Sequence, residues 1–141
     1  GPRQDPNSVY SAVIPLFIVR ILEGQQLSIC GDGRQTRDFV YVEDVAAANW
    51  HAAQGEVRGV YNVGTGRAVA ILELADIVCE ILETEQAYTY IESRPGDVLS
   101  STASIERARQ ALDWLVKWSL EAGLRETVEW WRAPVREMIN D

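Results

Sequence analysis

Gly31-Asp32-Gly33-Arg34-Gln35-Thr36-Arg37-Asp38-Phe39 sets two glycines ahead of an arginine and an aromatic residue, and Arg94-Pro95-Gly96-Asp97 holds a second arginine in a tight turn. Glycine admits positive φ and lets the backbone approach a neighbour closely. Arginine keeps its charge at any physiological pH and offers five N–H donors in a fixed fork. Two such forks on separate loops suit a small dianion such as a diphosphate, each charge-assisted bond contributing roughly 1.5–3 kcal/mol. Each arginine also has a plainer reading. Arg37 could pair with Asp38 across a hairpin, and Arg94 with Asp97 as a loop anchor.

Composition narrows the partners. The 141 residues carry a net charge of -8, which argues against nucleic acid, where affinity comes from neutralising phosphates. The positive field of the two loops is therefore local, fit for a small anion rather than a polyanion. An apolar content of 47% with 24% charged residues is that of a soluble globular domain, and the length fits a single domain, 1–141. The longest apolar run, Ala12 to Leu22, is broken by Pro15 and Arg20, so neither a membrane span nor a secretory segment is expected. Cys30 and Cys79 lack metal-ligand spacing and read as free thiols of a cytoplasmic protein. No metal site is expected, and His51 reads as structural.

Periodicity places the elements. Val9, Val13, Leu16, Phe17 and Ile21 predict a helix over 9–23, stopped by Gly24 and bent by Pro15. Strands are expected at Leu27–Cys30, Phe39–Val42, Val60–Val63 and Tyr88–Ile91, the third of them buried. Helices are expected at Glu43–Gln54, whose alanines suggest close packing, and at Ile71–Thr84, with Leu74, Ile77, Val78 and Ile81 on one face. Ser104 is positioned to cap a helix over Ile105–Leu112, and Ser119 to cap the last one, which carries Leu120, Leu124, Val128 and Trp131. Val69 and Ala70 leave the Ile71 helix without a polar cap, a loss of about 1 kcal/mol. Short strands with about five helices give an α/β (mixed α+β) fold.

Two further stretches stand beside the arginine loops, Gly1-Pro2-Arg3-Gln4-Asp5-Pro6 and Val60-Tyr61-Asn62-Val63-Gly64-Thr65-Gly66. In order and spacing the four resemble the C-terminal, substrate-binding part of the NAD-dependent epimerase/dehydratase family, the extended short-chain dehydrogenase/reductases. The resemblance runs from Gly1 to about Trp131 and is nearest to the UDP-glucose and UDP-N-acetylglucosamine 4-epimerases. Arg3 to Ser8 favours these over the decarboxylase and dehydratase branches. By this resemblance Arg37 and Arg94 grip the diphosphate from two sides, Asp97 accepts from the ribose, and Phe39 lies beside the nucleotide. Val13, Ile14 and Pro15 fall at the uracil base, although Val13 and Ile14 also read as plain core. Ser101 falls where the family limits sugar size, and a small residue there leaves room for an N-acetyl group. It reads equally as a helix-entry serine. Gly64 to Gly66 reads as a tight turn of architectural use.

The same resemblance says what is not expected. The family seats NAD on a glycine-rich turn, and neither Gly31-Asp32-Gly33 nor Gly64-Thr65-Gly66 leads to a third glycine in register. Its Tyr-x-x-x-Lys pair has no counterpart, since the one lysine is Lys117 and Asp113 stands four residues before it. The expectation is a nucleotide-sugar-binding part lacking the N-terminal Rossmann domain, with no catalytic residue and no cofactor of its own, NAD belonging to the intact family. UDP-sugar is the implied ligand. Trp50, Tyr61, Trp130 and Trp131, with the Glu43 helix and the Val60 strand, would leave apolar surface for a homodimer or a separate cofactor-domain chain to cover. The other reading is a stand-alone oligomeric binding or interaction module without catalysis.

Overall fold

The computed structural model describes residues 1–8, 13–93 and 96–133. Within them the chain runs α1 (Val13–Leu22), β1 (Leu27–Cys30), β2 (Thr36–Arg37), α2 (Val42–Gln54), β3 (Val69–Ala70), α3 (Ile71–Leu82), β4 (Tyr88–Ile91), α4 (Glu106–Leu112) and α5 (Leu120–Arg132). The strands pair two by two. β1 and β4 are parallel, with Leu27 opposite Tyr88, and β2 and β3 are antiparallel. A parallel pair needs a long crossover, and α3, which leads into β4, packs on β1 to provide its last leg.

α3 organises the larger core. Its apolar residues recur at three- and four-residue spacing, so Ile71, Leu74, Ala75, Val78 and Ile81 are buried on one face. Against them lie Phe17 and Ile18 of α1, Leu27 and Ile29 of β1, and Leu124 and Val128 of α5. The helix stops at Glu83, which takes a left-handed conformation and returns its N–H to the Glu80 carbonyl. The missing polar cap at its other end is made good by backbone. Ile71 N–H donates to the Gln35 carbonyl and Leu72 N–H to that of Gly33, both at 3.0 Å, which satisfies two of the orphan amides of the first turn.

A smaller cluster joins α2 to α4 through Ala48, Ala108, Leu112 and Trp114, the close packing that the alanines suggested. Asp44 closes it. This side chain is 1% exposed, and its carboxylate accepts from the amides of Lys117 (3.0 Å) and Trp118 (3.1 Å). Its carbonyl accepts from Trp114 Nε1 at 3.0 Å. His51 is structural as expected, its Nδ1 lying 3.0 Å from the Leu112 carbonyl.

Three expectations need correction. No strand forms at Val60–Val63, and Val60 is 83% exposed, because no described strand lies beside it to complete a ladder. The strand expected at Phe39–Val42 is instead the pair Thr36–Arg37, and Val42 already begins α2. Ser104 does not cap α4, which starts one residue later behind Ile105 with no side-chain bond; Ser119 does cap α5, accepting from Ala122 N–H at 3.1 Å. Pro15 is buried in α1, and residues 9–12, on which the expected bend depends, lie outside the described residues.

Two measurements test these ties. Asp44→Ala strands two amides and is expected to cost roughly 2–4 kcal/mol, read as a melting temperature lower by about 10 °C. The Tyr88 hydroxyl donates to Asp76 Oδ1 at 2.5 Å, and burial first, then this bond, hold the phenol protonated well above its ordinary value. A raised folded-state value stabilises the fold below the unfolded tyrosine pKa of about 10, and that stability is lost as pH rises beyond it. The stability gap between the native chain and Tyr88→Phe should therefore narrow as pH is raised above about 10 in thermal melts. A gap independent of pH would refute the tie.

Candidate functional site

The Arg37 loop is built from the bottom by glycine. Gly31 and Gly33 both take positive φ, +60° and +72°, to turn the chain from β1 to β2. The close approach that Gly33 permits is to protein rather than to a ligand, since a Cβ there would stand 2.7 Å from Ile29 Cγ2 and 3.1 Å from Leu72 Cβ. The loop is thus fastened to the start of α3 before it reaches Arg37.

β2 then lies between two segments. Thr36 and Arg37 pair with Ala70 and Val69 on one side, and Thr36 forms a parallel bridge with Ser100 on the other. Thr36 N–H donates to Leu99 O at 2.9 Å, Ser101 N–H donates to Thr36 O at 3.2 Å, and the Thr36 hydroxyl donates to that of Ser100 at 3.1 Å. Arg37 Nη1 donates to Val98 O at 2.6 Å and to Thr36 O at 2.8 Å. These bonds to described residues use a single nitrogen of the guanidinium. Arg37, Asp97 with its neighbour Val98, and Ser101 consequently share one edge, where Asp97 and Ser101 are exposed. Arg94 and Pro95 lie outside the described residues.

The apolar members of the predicted set gather elsewhere. Ile14 and Phe39 line one cleft with Tyr41, Trp118 and Leu120, while Val13 packs against the larger core and Pro15 is buried. Phe39 links the two groups, two residues beyond Arg37. Tyr41 and Trp118 pack as tilted rings, 42° apart in plane with centroids 4.5 Å apart, and α5 comes close enough to Tyr41 only because residue 123 is glycine, where a Cβ would stand 2.7 Å from the ring.

Asp38 was read from sequence only as a partner for Arg37. It is a different kind of residue. Its Oδ1 accepts from the amide (2.8 Å) and hydroxyl (2.5 Å) of Thr65, and its Oδ2 from the amides of Gly66 (2.9 Å) and Ala103 (3.1 Å). A carboxylate has about four acceptor positions, so these bonds fill it. The signal that could have found it is Gly64-Thr65-Gly66, a turn whose amides need an acceptor. A Cβ at Gly64 would lie 2.7 Å from Asp38 Oδ2, which is why glycine stands there. The turn is architectural, as expected, and its amides are not open to a phosphate.

Residues 1–64 match the NAD dependent epimerase/dehydratase family. The chain is 34% identical over 144 residues to the dTDP-glucose 4,6-dehydratase of Neisseria gonorrhoeae, with 93% of this chain and 40% of that protein covered. Its fold superposes with a TM-score of 0.88 on a UDP-N-acetylglucosamine 4-epimerase from Methanobrevibacter ruminantium M1 in complex with UDP-N-acetylmuramic acid, at 42% identity over 93% of this chain and 42% of the other. The TM-score is again 0.88 for the UDP-glucose 4-epimerase of Thermotoga maritima with UDP-glucose, at 40% identity over 94% and 42%. The chain thus spans about 40% of the length of the curated relatives it matches. No helix among the described residues is long and apolar enough to cross a membrane.

Proposed function

Since the chain is related to the NAD-dependent epimerase/dehydratase family and folds like the C-terminal part of its members, we propose that it is the nucleotide-sugar-binding portion of a 4-epimerase-like protein. Its ligand is a UDP-hexose or UDP-N-acetylhexosamine. Arg37 takes the diphosphate from β2, and Arg94 is its second cationic contact. Asp97 accepts from the ribose. Phe39, with Val13, Ile14 and Pro15, flanks the uracil, and the small Ser101 leaves space beside the sugar. What supports this reading most is the placement of Arg37, held by the Val98 carbonyl one residue from Asp97, on the strand whose carbonyl accepts from Ser101. A forked cation at that edge can meet a diphosphate through the nitrogens its protein bonds leave over.

Neither of the two described glycine turns, at Gly31–Gly33 and Gly64–Gly66, fits the pyrophosphate of a dinucleotide. A pyrophosphate seat needs unoccupied amides at a glycine turn before a helix. The Thr65 and Gly66 amides are given to Asp38, and the Gly33 turn is packed against Ile29 and Leu72. In this reading NAD and the chemistry belong to the remainder of an intact relative, and this chain contributes binding. A homodimer or a separate cofactor-domain chain is the proposed protein partner. The reading as an oligomeric interaction module draws on a separate observation: Trp50 is 64% exposed and Val60 83%, large apolar side chains left to water on and just after α2.

Calorimetry with UDP, UDP-glucose and UDP-N-acetylglucosamine tests the ligand. Binding of all three is expected, weakened roughly 10- to 100-fold by Arg37→Ala, the equivalent of one or two charge-assisted bonds. Ser101→Tyr should lose UDP-N-acetylglucosamine while keeping UDP-glucose. A chain that binds none of the three is not a nucleotide-sugar module. Light scattering tests the partner, with a dimer expected and a monodisperse monomer at high concentration speaking against self-association.

A further inference from the structure

We propose that Asp38 is the positioning residue of this site, fixing the distance between the diphosphate-facing Arg37 and the sugar-facing Ser101. The inference rests on the functional reading above. Asp38 is covalently next to both Arg37 and Phe39, and its carboxylate holds the Ala103 amide, two residues beyond Ser101. The same carboxylate holds Thr65 and Gly66, so the two segments of the binding edge are pinned to a third that takes no part in it. Without Asp38 the two segments would still meet through Thr36, Leu99 and Ser101, and through Arg37 and Val98. That ladder is one bridge long and exposed on the Ser100 side, too little to hold a register alone. The carboxylate extends it by a further tie at Ala103. The acceptor positions of Asp38 are taken by three amides and a hydroxyl, so it makes no direct hydrogen bond to the Arg37 guanidinium among the described residues.

A change from Asp38→Asn turns one acceptor oxygen into an amide donor facing other donors, at nearly constant volume. Two ligands separate positioning from general loss of structure: uridine, which lacks the groups Arg37 and Ser101 would take, and UDP-N-acetylglucosamine, which has both. Asp38→Asn is expected to weaken UDP-N-acetylglucosamine by roughly tenfold or more, and uridine by less than about threefold. In the unliganded chain, hydrogen exchange should quicken at the Thr65, Gly66, Ala103 and Ser101 amides. Should Asp38→Asn not fold, Thr65→Val removes one donor and leaves the carboxylate, and the same ordering of the two ligands is expected at smaller size. Equal losses for both ligands, or none, in a folded variant overturn the inference and leave the functional reading standing. A native chain that binds neither ligand overturns both.

Discussion

Backbone amides in this chain outnumber the strands that could receive them, and two aspartates make up the difference. Its sheets are only two strands wide, and the connections between helices are long. Buried or half-buried amides in such connections cost free energy unless something accepts from them. Asp38 accepts for the Thr65 turn and the approach to α4, and Asp44 accepts for the segment between α4 and α5. Asp38 gathers donors 27 to 65 residues away in the chain, and Asp44 donors 73 and 74 residues away. Ordinary hydrogen bonds to charged acceptors contribute more than neutral ones, so a few of them can hold loops that a wider sheet would otherwise hold.

This economy shapes the edge that carries Arg37. Arg37 is neither a free surface arginine nor half of an ion pair with its neighbour. Its side chain is steadied by two carbonyls, which define its position without a salt bridge among the described residues. A permanently charged fork held by neutral acceptors is a usual way to prepare a site for a phosphate without spending the charge first. Ser100 and Ser101, bonded to Thr36, bring a small-side-chain surface to the same strand. The apolar cleft of Ile14 and Phe39 lies beyond it, so cationic and apolar faces adjoin along Arg37–Phe39.

The relation to longer proteins gives a physical sense to the exposed residues. Val60, Tyr61 and Val63 have the composition of a buried strand, yet Val60 faces water and no described strand pairs with it. Trp50 on α2 is exposed in the same way. Strand propensity expresses itself only where a neighbouring ladder exists to be joined.

Local chemistry was legible in the order of residues. The spacing of α3 and α5, the bounds of β1 and β4, the Ser119 cap and the close-packed alanines of α2 all follow from side-chain period and intrinsic preference, which act within a few residues. Which carbonyl Arg37 meets, which amides Asp38 collects, and that Gly33 and Gln35 stand in for a helix cap were decided by folding alone. Those bonds join segments far apart in the chain, and a carboxylate shows no local preference for one distant amide over another until packing has brought them together.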